Sequence, residues 1–205
     1  MRKYWALPAV VLLVLCSLTA CGEKMPTPDQ LIDSFAAADK VRLEMYVNYD
    51  DIQSSTTVIE QDGDRTKVRM ETTAFGATDG DEYYTATEDG KQYLYAPNKD
   101  GVWEKELLGE WFIPASVGGF AELFDSDLYY ETEEGYRMYK TSSAKLDGMT
   151  FNDAEITKDE DGNYVLTAVV SRTIEEMPVF GSVKITVTMD EKLSVTLPVP
   201  GEKTK

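Results

Sequence analysis

The sequence contains no histidine, which removes the commonest general base and the commonest metal ligand at once. Cysteine is nearly absent as well, because the only two, Cys16 and Cys21, lie within the first 21 residues. Ser-His-Asp and Cys-His catalysis, zinc sites and haem ligation by these residues are therefore excluded. The rest of the chain can form no disulfide, so a packed core has to stabilise it. We expect neither an enzyme nor a protein with a metal site or cofactor.

Basic residues are scarce. Twenty Lys and Arg face 37 Asp and Glu, which gives a formal net charge of -17. Without the first 20 residues, which hold Arg2 and Lys3 and no acidic residue, the charge becomes -19. A surface with this much negative charge repels nucleic acid and anionic lipid headgroups. We therefore expect no nucleic-acid partner. Any attachment to a membrane then has to come from acyl chains.

Long apolar runs are also missing, apart from a short one near residues 5–15 that follows Arg2 and Lys3. It falls short of the roughly 20 residues that a membrane-spanning helix needs. A basic start, an apolar run and then small residues are the build of a secretory signal peptide, predicted here over residues 1–20. An ordinary secretory signal and an uncleaved anchor are the alternatives to a lipoprotein signal.

Residues Leu18, Thr19, Ala20 and Cys21 resemble the lipobox of bacterial lipoproteins. That resemblance implies cleavage before Cys21 and a diacylglycerol on its sulfur. Cys16 does not fit, because bulky Leu15 stands where the peptidase needs a small residue. The expected location is the extracytoplasmic face of a cell membrane, with residues 21–26 as a lipidated tether.

A helix is predicted to begin directly after this tether. Thr27 is a good N-cap, Pro28 suits the first helical position, and Gln30 completes a capping box. Apolar residues share one face and should pack against another element; they are Leu31, Ile32, Phe35 and Ala36. The helix should end near Asp39.

Beyond the helix the apolar period changes from 3.6 to 2, which indicates an antiparallel sheet with one buried face. The alternating apolar sets are Val41, Leu43, Met45, Val47 and Tyr49; Val68, Met70 and Thr72; and Val183, Ile185, Val187 and Met189. Asp-Gly, a strong hairpin signal, begins at Asp62, Asp79, Asp89, Asp100, Asp147 and Asp161. These patterns predict a meander of nine to eleven strands in one domain, residues 27–200, followed by a disordered tail, 201–205.

Residues 107–128 interrupt the strand pattern with Pro114, Gly118 and Gly119 among apolar side chains. We interpret this stretch, called the crossing segment, as lying over the concave face of the sheet, with Ser116 capping a short helix. Its apolar residues either line a cavity for an acyl chain or plug an ordinary core. The ligand candidates are Leu108, Trp111, Phe112, Ile113, Phe120, Leu123 and Phe124.

The lipobox, the capped helix, the meander, the crossing segment and a closing hairpin with strands over 183–189 and 193–197 together resemble the LolA/LppX-like bacterial lipoproteins. The resemblance implies a mainly β (α+β) fold, a highly twisted antiparallel sheet or unclosed β-barrel with an N-terminal helix and a short helical crossing segment. Better-known members carry lipids or lipoproteins in the hollow of the sheet. The leading functional expectation is therefore non-catalytic binding of a lipid or other apolar ligand. The alternative is an interaction or sensor module that binds another envelope protein and has a filled core.

Overall fold

The computed structural model describes residues 24–50, 52–109, 112–174 and 176–204. The predicted signal peptide, the lipobox residues Leu18, Thr19, Ala20 and Cys21, and the ligand candidate Trp111 lie outside the described residues.

Helix α1 spans Pro28–Ala37. Its capping box is present, since the Gln30 N–H donates to Thr27 Oγ1 and the Thr27 N–H donates to Gln30 Oε1. Leu31, Ile32 and Phe35 are buried, whereas Ala36 is exposed.

The described residues form twelve strands in one antiparallel sheet, and this confirms the predicted fold class. They are β1 (Lys40–Tyr49), β2 (Gln53–Asp62), β3 (Arg65–Ala74), β4 (Ala77–Glu88), β5 (Lys91–Pro97), β6 (Trp103–Leu107), β7 (Tyr129–Glu131), β8 (Gly135–Met138), β9 (Ala144–Leu146), β10 (Met149–Lys158), β11 (Tyr164–Ile174) and β12 (Met177–Met189). Their order is β6-β5-β4-β3-β2-β1-β12-β11-β10-β8-β7, with β9 on β10, so the sheet stays unclosed. The predicted count was low because β7, β8 and β9 are too short to show a period.

Helix α1 and the crossing segment pack on one face of the sheet, where one large core forms. We call it the concave face, as in the prediction above, and the opposite face the convex face. The alternation in β1 is confirmed, because Val41, Leu43, Met45, Val47 and Tyr49 are all buried. In β3 the prediction holds for Val68 alone, since Met70 is 38% exposed and Thr72 is partly exposed. Met189 at the end of β12 is exposed as well. The apolar side chains near the ends of β3 and β12 are thus not buried, although the strands continue.

Five of the six Asp-Gly pairs lie at turns or loops, and the sixth does not. Asp89-Gly90 and Asp147-Gly148 form two-residue turns with both residues at positive φ, as hairpin turns of this kind require. Asp79-Gly80, predicted to be a turn, lies inside β4 instead. The β3–β4 turn is made by Phe75-Gly76, two residues that Ala74 and Ala77 flank as a pair.

The prediction of a strand over residues 193–197 is wrong, because these residues form no ladder. They cross the convex face, where buried Val195 joins a second, smaller core with Tyr84, Ala86, Tyr95 and Trp103. The Val195 N–H donates to Asp62 Oδ2 (3.1 Å), which replaces the missing ladder bonds. Residues 201–204, expected to be a disordered tail, hydrogen-bond to the start of β6, as in the 2.9 Å bond from the Trp103 N–H to the Glu202 carbonyl.

Candidate functional site

The second half of the crossing segment is part of the core. It forms a 3₁₀ helix, Val117–Phe124, and Ser116 precedes it without a side-chain capping bond. Three of the seven ligand candidates, Phe120, Leu123 and Phe124, are buried here. They belong to the same core as α1, and the Leu123 carbonyl accepts a 2.7 Å hydrogen bond from the Tyr129 hydroxyl. These three side chains act as a plug beneath the sheet.

The first half of the crossing segment is less buried. Leu108 and Phe112 are half-buried, and Ile113 is 90% exposed. The Phe112 ring meets the Tyr83 ring edge-on, with centroids 5.4 Å apart. The Ala115 N–H donates to Tyr83 Oη (3.1 Å), and burial raises the pKa of that phenol above its ordinary value. Tyr83 therefore holds the segment on the sheet, while apolar surface of the segment stays accessible.

A second feature of the concave face is a stacked pair from two strands. The Arg172 guanidinium on β11 lies 4.8 Å from the ring centroid of Tyr49 on β1, and its Nη2 donates to Gln53 Oε1 (2.8 Å). Burial raises the pKa of Tyr49, and the nearby Arg172 charge opposes that shift. Tyr49 Oη and Arg172 Nε are buried without a hydrogen-bond partner among the described residues. Sequence reasoning missed this pair, because no local pattern links residues 49 and 172.

A cleft of about 810 Å³ lies between β4, the loop after β5 and the C-terminal segment. Tyr84 and Trp103 form its floor, with ring centroids 5.5 Å apart. The charged groups in its lining are Asp81, Glu82, Lys99, Glu202 and Lys203. Tyr84 and Trp103 are themselves buried, so the floor offers little apolar surface to a ligand. Glu82 is already paired with Lys67 (2.9 Å) and accepts from Tyr84 Oη (2.8 Å).

The strongest exposed apolar feature lies at one end of the sheet. The turns of the β1–β2, β3–β4 and β11–β12 hairpins project from the same end, because these hairpins are neighbours in the sheet. Each hairpin carries large exposed apolar side chains at or near its turn. We call this set the apolar tip surface: Ile52 (45% exposed), Phe75 (90%), Met177 (63%) and Phe180 (63%). Sequence reasoning missed it, since only the strand order brings the three turns together.

Among the described residues, no group of three or more His, Cys, Asp or Glu side chains is arranged to hold a metal ion. Of the helices that these residues form, none combines the length and apolarity needed to cross a bilayer. The chain matches no protein-family model, and no curated protein matches it.

Proposed function

We propose that this protein is a lipoprotein, anchored through Cys21 to the outer face of a cell membrane, that acts without catalysis as an interaction module for another envelope protein. The observation that carries the proposal is the apolar tip surface. Monomeric proteins seldom leave several large apolar side chains together in water, and such patches usually mark an interaction site. Here Phe75 in the β3–β4 turn and Met177 at the start of β12 are both exposed.

The packing of the concave face supports an interaction module over a carrier. Phe120, Leu123 and Phe124 were candidates either to line a ligand cavity or to plug the core, and all three are buried in the protein's own core. A carrier needs apolar surface that only the ligand covers. These residues are covered by α1 and the sheet, so they offer none.

The start of the described chain supports an anchored domain that lies near its membrane. Lys24 pairs with Glu131 (2.9 Å), and the Met25 carbonyl accepts from Tyr136 Oη (3.2 Å). The chain therefore joins the domain only three residues after Cys21. Three extended residues span at most about 11 Å, so acylation of Cys21 would hold the domain close to the bilayer.

Mass spectrometry under native conditions tests the choice between module and carrier. A shortened chain that begins at Lys24, secreted by the producing cell behind a cleavable signal without cysteine, keeps the contacts of Lys24 and Met25. We expect its native mass to equal that of the polypeptide alone. A stoichiometric lipid that co-purifies and leaves on denaturation would contradict the interaction module and favour the carrier.

Binding of an apolar ligand stays the second candidate, because the first half of the crossing segment leaves Ile113 exposed and Leu108 half-buried. A titration of the shortened chain with a fluorescent fatty acid tests it. If this segment holds the ligand, Ile113→Asp should weaken binding about tenfold or more, since a charge in an apolar site is costly. Ile52→Asp is the matched control, because Ile52 lies on the apolar tip surface.

A further inference from the structure

Phe75 adopts a backbone conformation that its side chain does not favour. Its φ is +51°, and Gly76 follows with φ +79°. Left-handed φ values of this kind suit Asn, Asp and Gly, and the Asp-Gly turns at Asp89 and Asp147 follow that rule. A bulky aromatic residue at this position is an outlier, which points to a role outside the fold.

Burial does not account for the choice of Phe75 either, since the side chain is 90% exposed. The position therefore combines an unfavourable backbone with an unfavourable exposure of a large aromatic ring to water. The cost of exposure disappears once the ring enters an apolar pocket of another molecule, and burial of the ring there offsets the backbone cost, which remains. Aromatic side chains are the typical anchors of such contacts.

The strand registers place other apolar residues beside Phe75. Tyr49 pairs with Gln53, Gln53 pairs with Ala74, and Asn48 pairs with Ser182. Phe180, Ile52 and Phe75 lie one or two residues beyond these last pairs, so they form a row across the same end of the sheet. Three strand spacings separate Phe180 from Phe75, so the row is about 14 Å long. That is the scale of the central contact area in a protein interface.

The charge around this row is acidic. Among the described residues within four positions of the three turns, the acidic ones are Asp50, Glu71, Asp79 and Glu176, and the single basic one is Arg172. Arg172 is stacked on Tyr49 inside the concave face. Acidic groups around the row disfavour an anionic bilayer and a second copy of this chain, whose net charge has the same sign. They favour a partner whose contact surface is basic.

The tether joins the domain at some distance from the apolar tip surface. Lys24 is paired with Glu131, which shares a rung with Tyr136, Ile156, Leu166 and Ile185. Phe180 lies five residues further along β12, about 17 Å in the strand direction. The tether therefore joins the domain on a different rung of the sheet from the apolar tip surface.

We propose that Phe75 is the anchor of a docking surface, completed by Ile52 and Phe180, for a protein partner with an apolar pocket edged by Lys or Arg. The inference rests on the proposed function and names the part of the domain that performs it.

Site-specific photo-cross-linking of the full-length chain in the producing cell tests the proposal. Benzoylphenylalanine replaces Phe75 in one variant and Ile113 in the matched control, because both side chains are 90% exposed. We expect one discrete protein adduct from position 75, at a yield about tenfold or more above that from position 113. Adding Phe180→Ser to the first variant should lower the yield about tenfold. In isolated membranes the yield should fall when NaCl is raised from about 0.05 M to about 0.5 M, because salt screens the charged rim.

Several results would overturn the docking surface. They are an adduct with lipid, an adduct of twice the chain's own mass, equal yields from positions 75 and 113, or no adduct at all. A far-ultraviolet circular dichroism spectrum unchanged from the parent shows that each variant is folded. If the native mass reveals bound lipid while position 75 still gives the protein adduct, the surface stands and the purely interacting function falls. If the shortened chain is free of lipid and position 75 gives no adduct, the docking surface alone falls.

Discussion

Phe35 of α1 and Phe124 of the 3₁₀ helix meet edge to face, with ring centroids 6.0 Å apart and an interplanar angle of 86°. Both rings are buried, and the Tyr164 ring of β11 lies 5.4 Å from Phe35 on another side. This contact joins the two helical elements to each other beneath the sheet. It makes the end of the crossing segment part of the core.

Truncation of Phe124 to Ala should therefore cost about 3–5 kcal/mol of unfolding free energy, because it leaves a cavity between packed elements. Urea denaturation of the shortened chain measures it. Ile113→Ala is the matched control in the same segment and should change stability by less than about 0.5 kcal/mol. Similar values for the two variants would contradict the plug.

Thr27→Ala should destabilise the domain by about 0.5–2 kcal/mol, since it removes the Thr27 Oγ1 atom that accepts a hydrogen bond from the Gln30 N–H at the start of α1. Ser116→Ala is the control, because Ser116 precedes the 3₁₀ helix without a side-chain capping bond. Thermal unfolding followed by circular dichroism compares them. Equal losses in the two variants would show that the bonds at Thr27 contribute nothing.

Stability should fall at alkaline pH because of Tyr129. Burial, and to a lesser extent the nearby Asp125 charge, raises the pKa of this phenol above its ordinary value of about 10. A group whose pKa is raised by folding stabilises the native state below its unfolded pKa, and this contribution is lost as the pH rises through the interval between the two values. Tyr129→Phe should be less stable at pH 8, having lost the bond to Leu123, but its stability should depend less on pH above about pH 10. Tyr130→Phe, at an exposed neighbour, is the control for stability at pH 8 and should change it by less than about 0.5 kcal/mol in thermal melts.

Phe75→Asn should stabilise the domain by about 0.5–1 kcal/mol, because Asn accepts the left-handed conformation that Phe75 holds. Asp89→Phe makes the reciprocal change in the β4–β5 turn and should cost a similar amount. Urea denaturation of both variants tests the pair. A destabilised Phe75→Asn variant would mean that the Phe75 ring has a structural partner in the domain.

Cys21→Ala should leave the protein without lipid, whereas Cys16→Ala should change nothing, because Ala20 and not Leu15 suits the peptidase. Metabolic labelling with an alkyne fatty acid, followed by fluorophore attachment, reads this out on a gel. Label retained in Cys21→Ala would refute the lipobox assignment. Membrane fractionation of the same cells shows whether the unlabelled protein is released.

Much of the local structure was readable from the sequence because its causes act over a few residues. The capping box at Thr27 and the alternation in β1 depend on neighbours three or two positions away, and both were predicted correctly. The prediction of a turn at Asp79-Gly80 failed because two nearby sequence positions can both form a turn, and only one of them can close the hairpin. Phe75-Gly76 lies four residues earlier and closes the hairpin in its place.

The sequence by itself determined the mainly β fold, the helix that begins at Pro28 and the absence of histidine chemistry, since these follow from composition and short periods. Tertiary structure alone decided which apolar residues of the crossing segment became core and which stayed exposed. It also decided that residues 193–197 would cover the convex face instead of forming a strand. The apolar tip surface has the same origin, because Ile52, Phe75 and Phe180 come to the same end of the sheet only through the order and register of non-consecutive strands. Such contacts depend on how a whole sheet pairs, and no window of sequence contains that information.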